Sequence, residues 1–230
     1  MLEAIVRCDI CAGSYTVEDA VQWIETCSRH EDAVEAHRFE QLLRSVLPAG
    51  LHEAHPRDLT GDLADWSCES GLYLFGPVGA GKSHAAVALV KRWAVHRTKL
   101  GLGARPVWLN MPTAILQTLG EFSKGDSGKP GKLWDDATEA DLLVLDDLGV
   151  EQTKDWVRLR LYGLVEYRLH NALPMIVTSN LSLGDLGSYL GSPQIASRLS
   201  QVCAQVSFVG KSDRRVSLAP TVKHTTMEAP

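Results

Sequence analysis

The chain has 230 residues, of which 45% are hydrophobic and 22% charged, and it carries a formal net charge of −5. That length supports one or two domains with a substantial core, and that charge excludes a surface that binds polyanions all over, so any nucleic-acid contact must come from a local basic patch. No apolar run approaches membrane-spanning length, the start lacks a signal-peptide layout, and five scattered cysteines do not form a secreted disulfide framework, so the protein is expected to be cytoplasmic.

Residues 1–47 read as a small separate unit. Thr16 followed three residues later by Asp19 resembles a helix-opening capping box, and Val17, Ala20, Val21 and Ile24 recur at helical spacing. A second amphipathic helix carries Phe39, Leu42, Leu43 and Val46 and ends before Pro48 and Gly50. Two short helices bury little, so the unit needs a partner or a staple. Cys8 and Cys11 form C-x-x-C, and Cys27 and His30 form C-x-x-H. That spacing suits a tetrahedral Cys₃His structural zinc site. Cys27 also falls one turn after Ile24, where a plain core cysteine is common, and His30 equally suits a solvated helix end. A redox role is disfavoured, because no thioredoxin-like strand–helix frame surrounds the C-x-x-C.

Residues 48–66, rich in Pro, Gly, Asp and His, read as a linker. Residues 67–216 then alternate strand and helix, the pattern of a parallel sheet covered on both faces, and residues 217–230 read as a flexible tail. Gly71-Leu72-Tyr73-Leu74-Phe75 is an apolar strand that runs into Gly76-Pro77-Val78-Gly79-Ala80-Gly81-Lys82-Ser83, which satisfies the P-loop pattern G-x-x-x-x-G-K-[ST]. Glycines let the backbone curl until successive N–H groups face one phosphate, and the helix that follows adds its positive dipole end. Lys82 then reaches the β- and γ-phosphates of a nucleoside triphosphate, and the Ser83 hydroxyl ligates Mg²⁺.

A strand over Pro106–Asn110 follows the P-loop helix, then a helix opened by Pro112 and carrying Ile115, Leu116 and Leu119. Lys124 to Lys132 is a Gly/Ser/Lys loop, either a solvated connection or a surface whose Lys124, Lys129 and Lys132 contact a phosphate backbone. Asp141–Asp147 is a buried parallel strand ending in two carboxylates. Asp146 is placed to organise Mg²⁺ and Asp147 to orient an attacking water, since ligands in such folds sit at strand carboxyl ends. A helix with Val157, Leu161, Leu164 and Val165 on one face precedes the last predicted strand, Pro174–Asn180, which has a polar tip.

With the P-loop, Leu145-Asp146-Asp147-Leu148-Gly149 and Thr178-Ser179-Asn180 in that order, the chain resembles the DnaC/IstB-type AAA+ ATPases, which are bacterial helicase loaders and transposition helpers. The resemblance extends to Ile195–Leu199 and Phe208–Arg214 and spans about residues 70–216. It implies an α/β AAA+ P-loop domain with a reduced lid, binding ATP with Mg²⁺ between subunits of a homo-oligomer. It further implies that Asn180 is a sensor amide near the γ-phosphate and that Arg198 is an arginine finger reaching a neighbour's ATP. Arg214 takes the second sensor position, with Arg215 as a substitute. The implied function is slow, partner-stimulated ATP hydrolysis in loading a replicative helicase on single-stranded DNA. The alternative is a transposition helper acting with a transposase on duplex DNA. By analogy with the family, residues 1–47 take the partner-binding role. The chain departs from many AAA+ relatives in carrying Asp147 where Glu is common, and only about fifty residues follow Asn180, too few for a full helical lid.

Overall fold

In the computed structural model, the described residues are 5–7, 14–16, 41–123, 131–150 and 154–210. The chain divides into two compact units, Met1–Ala49 and Gly50–Pro230. In the first, β1 (Ile5–Arg7) pairs antiparallel with β2 (Ser14–Thr16). Thr16, expected to open a helix, therefore ends a strand. Residues 41–46 are helical and stop before Pro48, as their pattern predicts, with Leu43 buried and Leu42 exposed. The zinc candidates Cys8, Cys11, Cys27 and His30 lie outside the described residues. Among the described residues, no group of three or more His, Cys, Asp or Glu side chains could hold a metal ion, and no helix is long and apolar enough to cross a membrane.

The second unit is built on five strands, β3 (Gly71–Phe75), β4 (Pro106–Asn110), β5 (Leu142–Leu148), β6 (Met175–Ser179) and β7 (Cys203–Ser207). Their order is β4-β5-β6-β3-β7, and every neighbouring pair is parallel. From β3 the chain crosses to β4 at the far edge, returns through β5 and β6, and closes with β7 on the other side of β3. The loops after β3, β5 and β6 therefore emerge side by side at the carboxyl edge, where open α/β sheets bind ligands.

Side chains alternate across each strand. Tyr73, Leu109, Leu143, Leu145, Met175 and Val177 join one core with α2 (Met111–Ser123), α3 (Lys132–Glu139), α4 (Asp155–His170), α5 (Leu183–Tyr189) and α6 (Pro193–Val202). The alternate set, Leu72, Leu74, Val144 and Ile176, is equally buried, and α1 (Lys82–Lys99) packs on β5 and β6. From Ala85 to Val90, α1 is buried at every residue, as expected of a helix that is apolar all round. The predicted α4 face of Val157, Leu161, Leu164 and Val165 is buried throughout, whereas α2 buries Met111, Ala114, Ile115 and Thr118 and leaves Leu116 exposed.

Residues 50–66 are not a linker. They fold as short 3₁₀ turns at Ala49–Leu51, Pro56–Asp58 and Gly61–Leu63, and they bury Ala54, Leu59, Leu63 and Trp66. Lys91 on α1 donates to the His52 and Ala54 carbonyls, Arg92 donates to the Ala64 carbonyl, and the Trp66 indole donates to Ser70. A composition rich in turn formers looks the same whether the turns are solvated or packed. Here the interspersed Leu59, Leu63 and Trp66 decide for packing.

Candidate functional site

Gly76 leaves β3 with φ 146°, and a Cβ there would come within 3.0 Å of Phe208. Only glycine allows this approach, which is fixed by the Phe208 amide donating to Phe75 O at 2.7 Å. Pro77 and the exposed Val78 form the tip, Gly79 and Gly81 hold φ 79° and 93°, and buried Ala80 seats the loop against α1. Gly81 is the N-cap of α1. The backbone thus delivers the amino-terminal N–H groups of an 18-residue helix to the carboxyl edge of the sheet.

Lys82 is almost fully buried. Its ammonium donates to Gly76 O and Pro77 O, each at 2.8 Å, and to Asn180 Oδ1 at 2.9 Å. The loop lysine and the residue predicted as a γ-phosphate sensor therefore meet directly, although 98 positions separate them. Ser83 Oγ donates to Asp146 Oδ1 at 2.8 Å. Asp146 continues the Val144 side of β5, the side that faces α1, and so reaches the first turn of that helix.

Sequence reasoning missed Thr178. It is wholly buried, donates to Asp146 Oδ1 at 2.7 Å, and accepts the Asp147 amide at 3.0 Å. It thus orients the first carboxylate and holds the backbone of the second. The β5–β6 register shifts between Leu145 and Leu148, and Asp147 occupies the left-handed region at φ 59°. A bulge that re-aims one side chain is common beside active sites, and Asp tolerates this conformation better than most residues. The predicted acid pair is therefore split, Asp146 buried against two hydroxyls and Asp147 half-buried on the bulge. Ser179 Oγ, donating to Leu148 O at 2.6 Å, ties the end of the bulge to β6.

Beside the loop lies a cavity of about 450 Å³, lined in part by Leu59, Leu63, Ala85, Ala88 and Phe208 with Asp58 and His84. The volume and mixed lining fall in the range of small-molecule sites. His84 Nε2 is 4.0 Å from Asp58 Oδ2, and the His55 amide donating to Asp58, together with His84, holds that carboxyl below its usual range. Four of its eleven lining residues, Asp58, Leu59, Thr60 and Leu63, come from the stretch that composition assigns to a linker, which is why no local signal reveals it.

Arg198, on α6, does not join the P-loop cluster of its own chain. Its Nε lies 2.7 Å from Glu166 Oε2 on α4, and its Nη1 is 3.5 Å from Gln201 Oε1. Lys132 is exposed at the start of α3, in a helix rather than a loop. Lys124, Lys129, Arg214 and Arg215 lie outside the described residues.

The residues fit a nucleoside triphosphate with Mg²⁺. The P-loop backbone is curled, Lys82 stands under it, and Ser83 with Asp146 offers the hard oxygen donors that Mg²⁺ takes.

Residues 61–218 match the IstB-like ATP binding protein family. Over 236 aligned positions the chain is 23% identical to the Bacillus subtilis (strain 168) protein YqaM, covering 86% of this chain and 68% of that one. A crystal structure of the DnaC helicase loader superposes with a TM-score of 0.56 at 25% identity, over 70% of this chain and 99% of that one. A DnaI crystal structure gives 0.55 at 21%, over 70% and 94%. The parallel sheet, the P-loop with its buried Asp146 and the Asn180 amide on Lys82, and a family match over most of the length converge: the chain belongs to the IstB-like ATP binding proteins, AAA+ ATPases of the DnaC/IstB type.

Proposed function

We propose that this protein is an ATP-dependent loader that assembles on single-stranded DNA and delivers a replicative helicase, hydrolysing ATP slowly between subunits. The observation that carries this reading is the division of the site. Lys82, Ser83, Asp146 and Asn180 are joined within one chain, while Arg198 is held apart on α6 by Glu166. A site with its phosphate loop complete and its arginine turned elsewhere suits ATP bound between two copies. The likeness to a helicase loader supports the choice of partner.

Ser83 and Asp146 would hold Mg²⁺, whose charge, when it is bound with ATP, neutralises the β- and γ-phosphate oxygens. The cavity beside α1 takes the base and ribose, with Leu63, Ala88 and Phe208 as its apolar walls. Asp147 orients the attacking water. In an Asp147→Asn variant the left-handed backbone is retained, because Asn tolerates it, while multiple-turnover phosphate release is lost.

Mixing Arg198→Ala with Lys82→Ala protein tests the shared site. Each variant alone turns over far more slowly than the wild type but measurably, and the mixture recovers part of the wild-type turnover, because some interfaces join an intact loop to an intact arginine. No recovery would contradict the two-subunit site. The family match favours a second reading, an IstB-like transposition helper that acts with a transposase on duplex DNA. Affinity capture with the full chain separates the two. Recovery of a replicative helicase supports the loader, and recovery of a transposase in its place supports the helper.

A further inference from the structure

We propose that Glu166 is the positioning residue of the arginine finger, holding the Nε edge of Arg198 so that its Nη fork is presented to the ATP of a neighbouring subunit. This rests on the reading of Arg198 as a finger that acts in trans. A guanidinium has two useful edges, and here they are occupied unequally. Nε is 2.7 Å from Glu166 Oε2, whereas among the described residues the Nη groups meet only Gln201 Oε1, at the limiting distance of 3.5 Å. The carboxylate is itself well placed to direct the side chain. Oε2 is buried and, among the described residues, has no hydrogen-bond partner, so its 2.7 Å approach to Nε is an ion pair, and Oε1 lies 3.5 Å from His170 Nδ1 one turn further along α4. Arg198 is about one-third exposed and borders an open depression of about 400 Å³, lined also by Tyr162, Pro193, Gln194 and Ser197.

An unrestrained arginine loses considerable rotamer freedom on being immobilised, and a partner that pins it beforehand removes part of that loss from the step that needs it. A planar fork left free at Nη suits bidentate contact with phosphate oxygens. Glu166 therefore acts on turnover through Arg198 and has no part in binding ATP to Lys82.

The test measures phosphate release at saturating ATP and single-stranded DNA, with ATP affinity followed by a fluorescent analogue. Glu166→Ala is expected to lower kcat about tenfold with ATP affinity unchanged, the size expected for losing preorganisation of one charged contact. Glu166→Gln, which keeps the shape and an acceptor oxygen, is expected to fall between the two and guards against a folding defect. In an Arg198→Ala background, Glu166→Ala adds nothing further. Normal or faster turnover in Glu166→Ala, with Arg198→Ala slow, overturns the role of Glu166 alone. An equal loss in both backgrounds also overturns it, since Glu166 then acts on the fold. Wild-type turnover in Arg198→Ala overturns the trans-finger reading itself, and with it this proposal.

Discussion

Lys82 illustrates how much of the site is carried by single side chains. Its ammonium bridges the loop carbonyls and Asn180, so it links the phosphate loop to β6 as well as awaiting phosphate oxygens. Lys82→Ala is expected to weaken ATP binding roughly 10- to 100-fold, because hydrogen bonds to a charged group contribute about 1.5–3 kcal/mol. Titration with a fluorescent ATP analogue measures it, and unchanged affinity would contradict the assignment. The thiols make a second residue-level prediction. Burial pushes the Cys203 thiol from 9.0 up to about 12 and raises Cys68 as well. An acid whose folded pKa is raised favours folding while it stays protonated, so that contribution is lost as the unfolded chain begins to ionise. Stability is therefore expected to fall above about pH 9, by roughly 1 kcal/mol per pH unit for Cys203, and the fall should be smaller in Cys203→Ala. Urea unfolding at pH 8, 9 and 10 gives the slope.

Among the elements, α3 depends most on a distant residue. It ends at Glu139 without a glycine cap, and the terminal carbonyls are taken instead by Arg168 from α4. The fully buried guanidinium donates from Nη1 to Ala137 O and Ala140 O at 3.1 and 2.9 Å, and from Nη2 to Pro174 O at 2.6 Å, just before β6. Burial lowers its pKa to about 10, which leaves it charged at neutral pH, and a cation at helix carbonyls complements the dipole. Arg168→Leu strands several buried acceptors at once. The expected loss is about 3 kcal/mol of unfolding free energy, read from the urea midpoint, because each unpaired buried group costs roughly 1–3 kcal/mol and relief of the buried charge offsets part of it. Periodicity legibly predicts β3, β4, β5, β6 and the apolar face of α4, because their buried faces are long and uninterrupted. It does not reveal α3, whose eight residues bury only Trp134 and Ala137, or β7, an edge strand with a single buried residue.

At the scale of the molecule, the boundary between units falls near residue 50, some way before the P-loop strand. A fragment of residues 50–230 is expected to fold and bind ATP. One of residues 67–230, cut where composition ends the apparent linker, is expected to do neither. It loses Ala54, Leu59, Leu63 and Trp66 from the core together with one wall of the cavity beside the phosphate loop. Each large apolar side chain contributes about 1.5–3 kcal/mol, and a domain holds only about 5–15 kcal/mol in total, so the shorter fragment falls below the threshold. Thermal unfolding with and without ATP compares the two, and equal melting would show that the 3₁₀ segment is dispensable.

The phosphate loop, the strand before it and the acid at the end of β5 can be read directly from the amino acids. They are local features, in which a few neighbouring residues dictate the backbone and the chemistry follows from their spacing. The resemblance of motif order adds Asn180 and Arg198, yet neither motif nor spacing says what those side chains touch. Thr178 holding Asp146, Leu59 and Leu63 walling the cavity, and Glu166 gripping Arg198 each join residues from separate elements. Such pairs exist only once the parallel sheet has set β3, β5 and β6 side by side and α4 has packed against α6. No short stretch of chain encodes them.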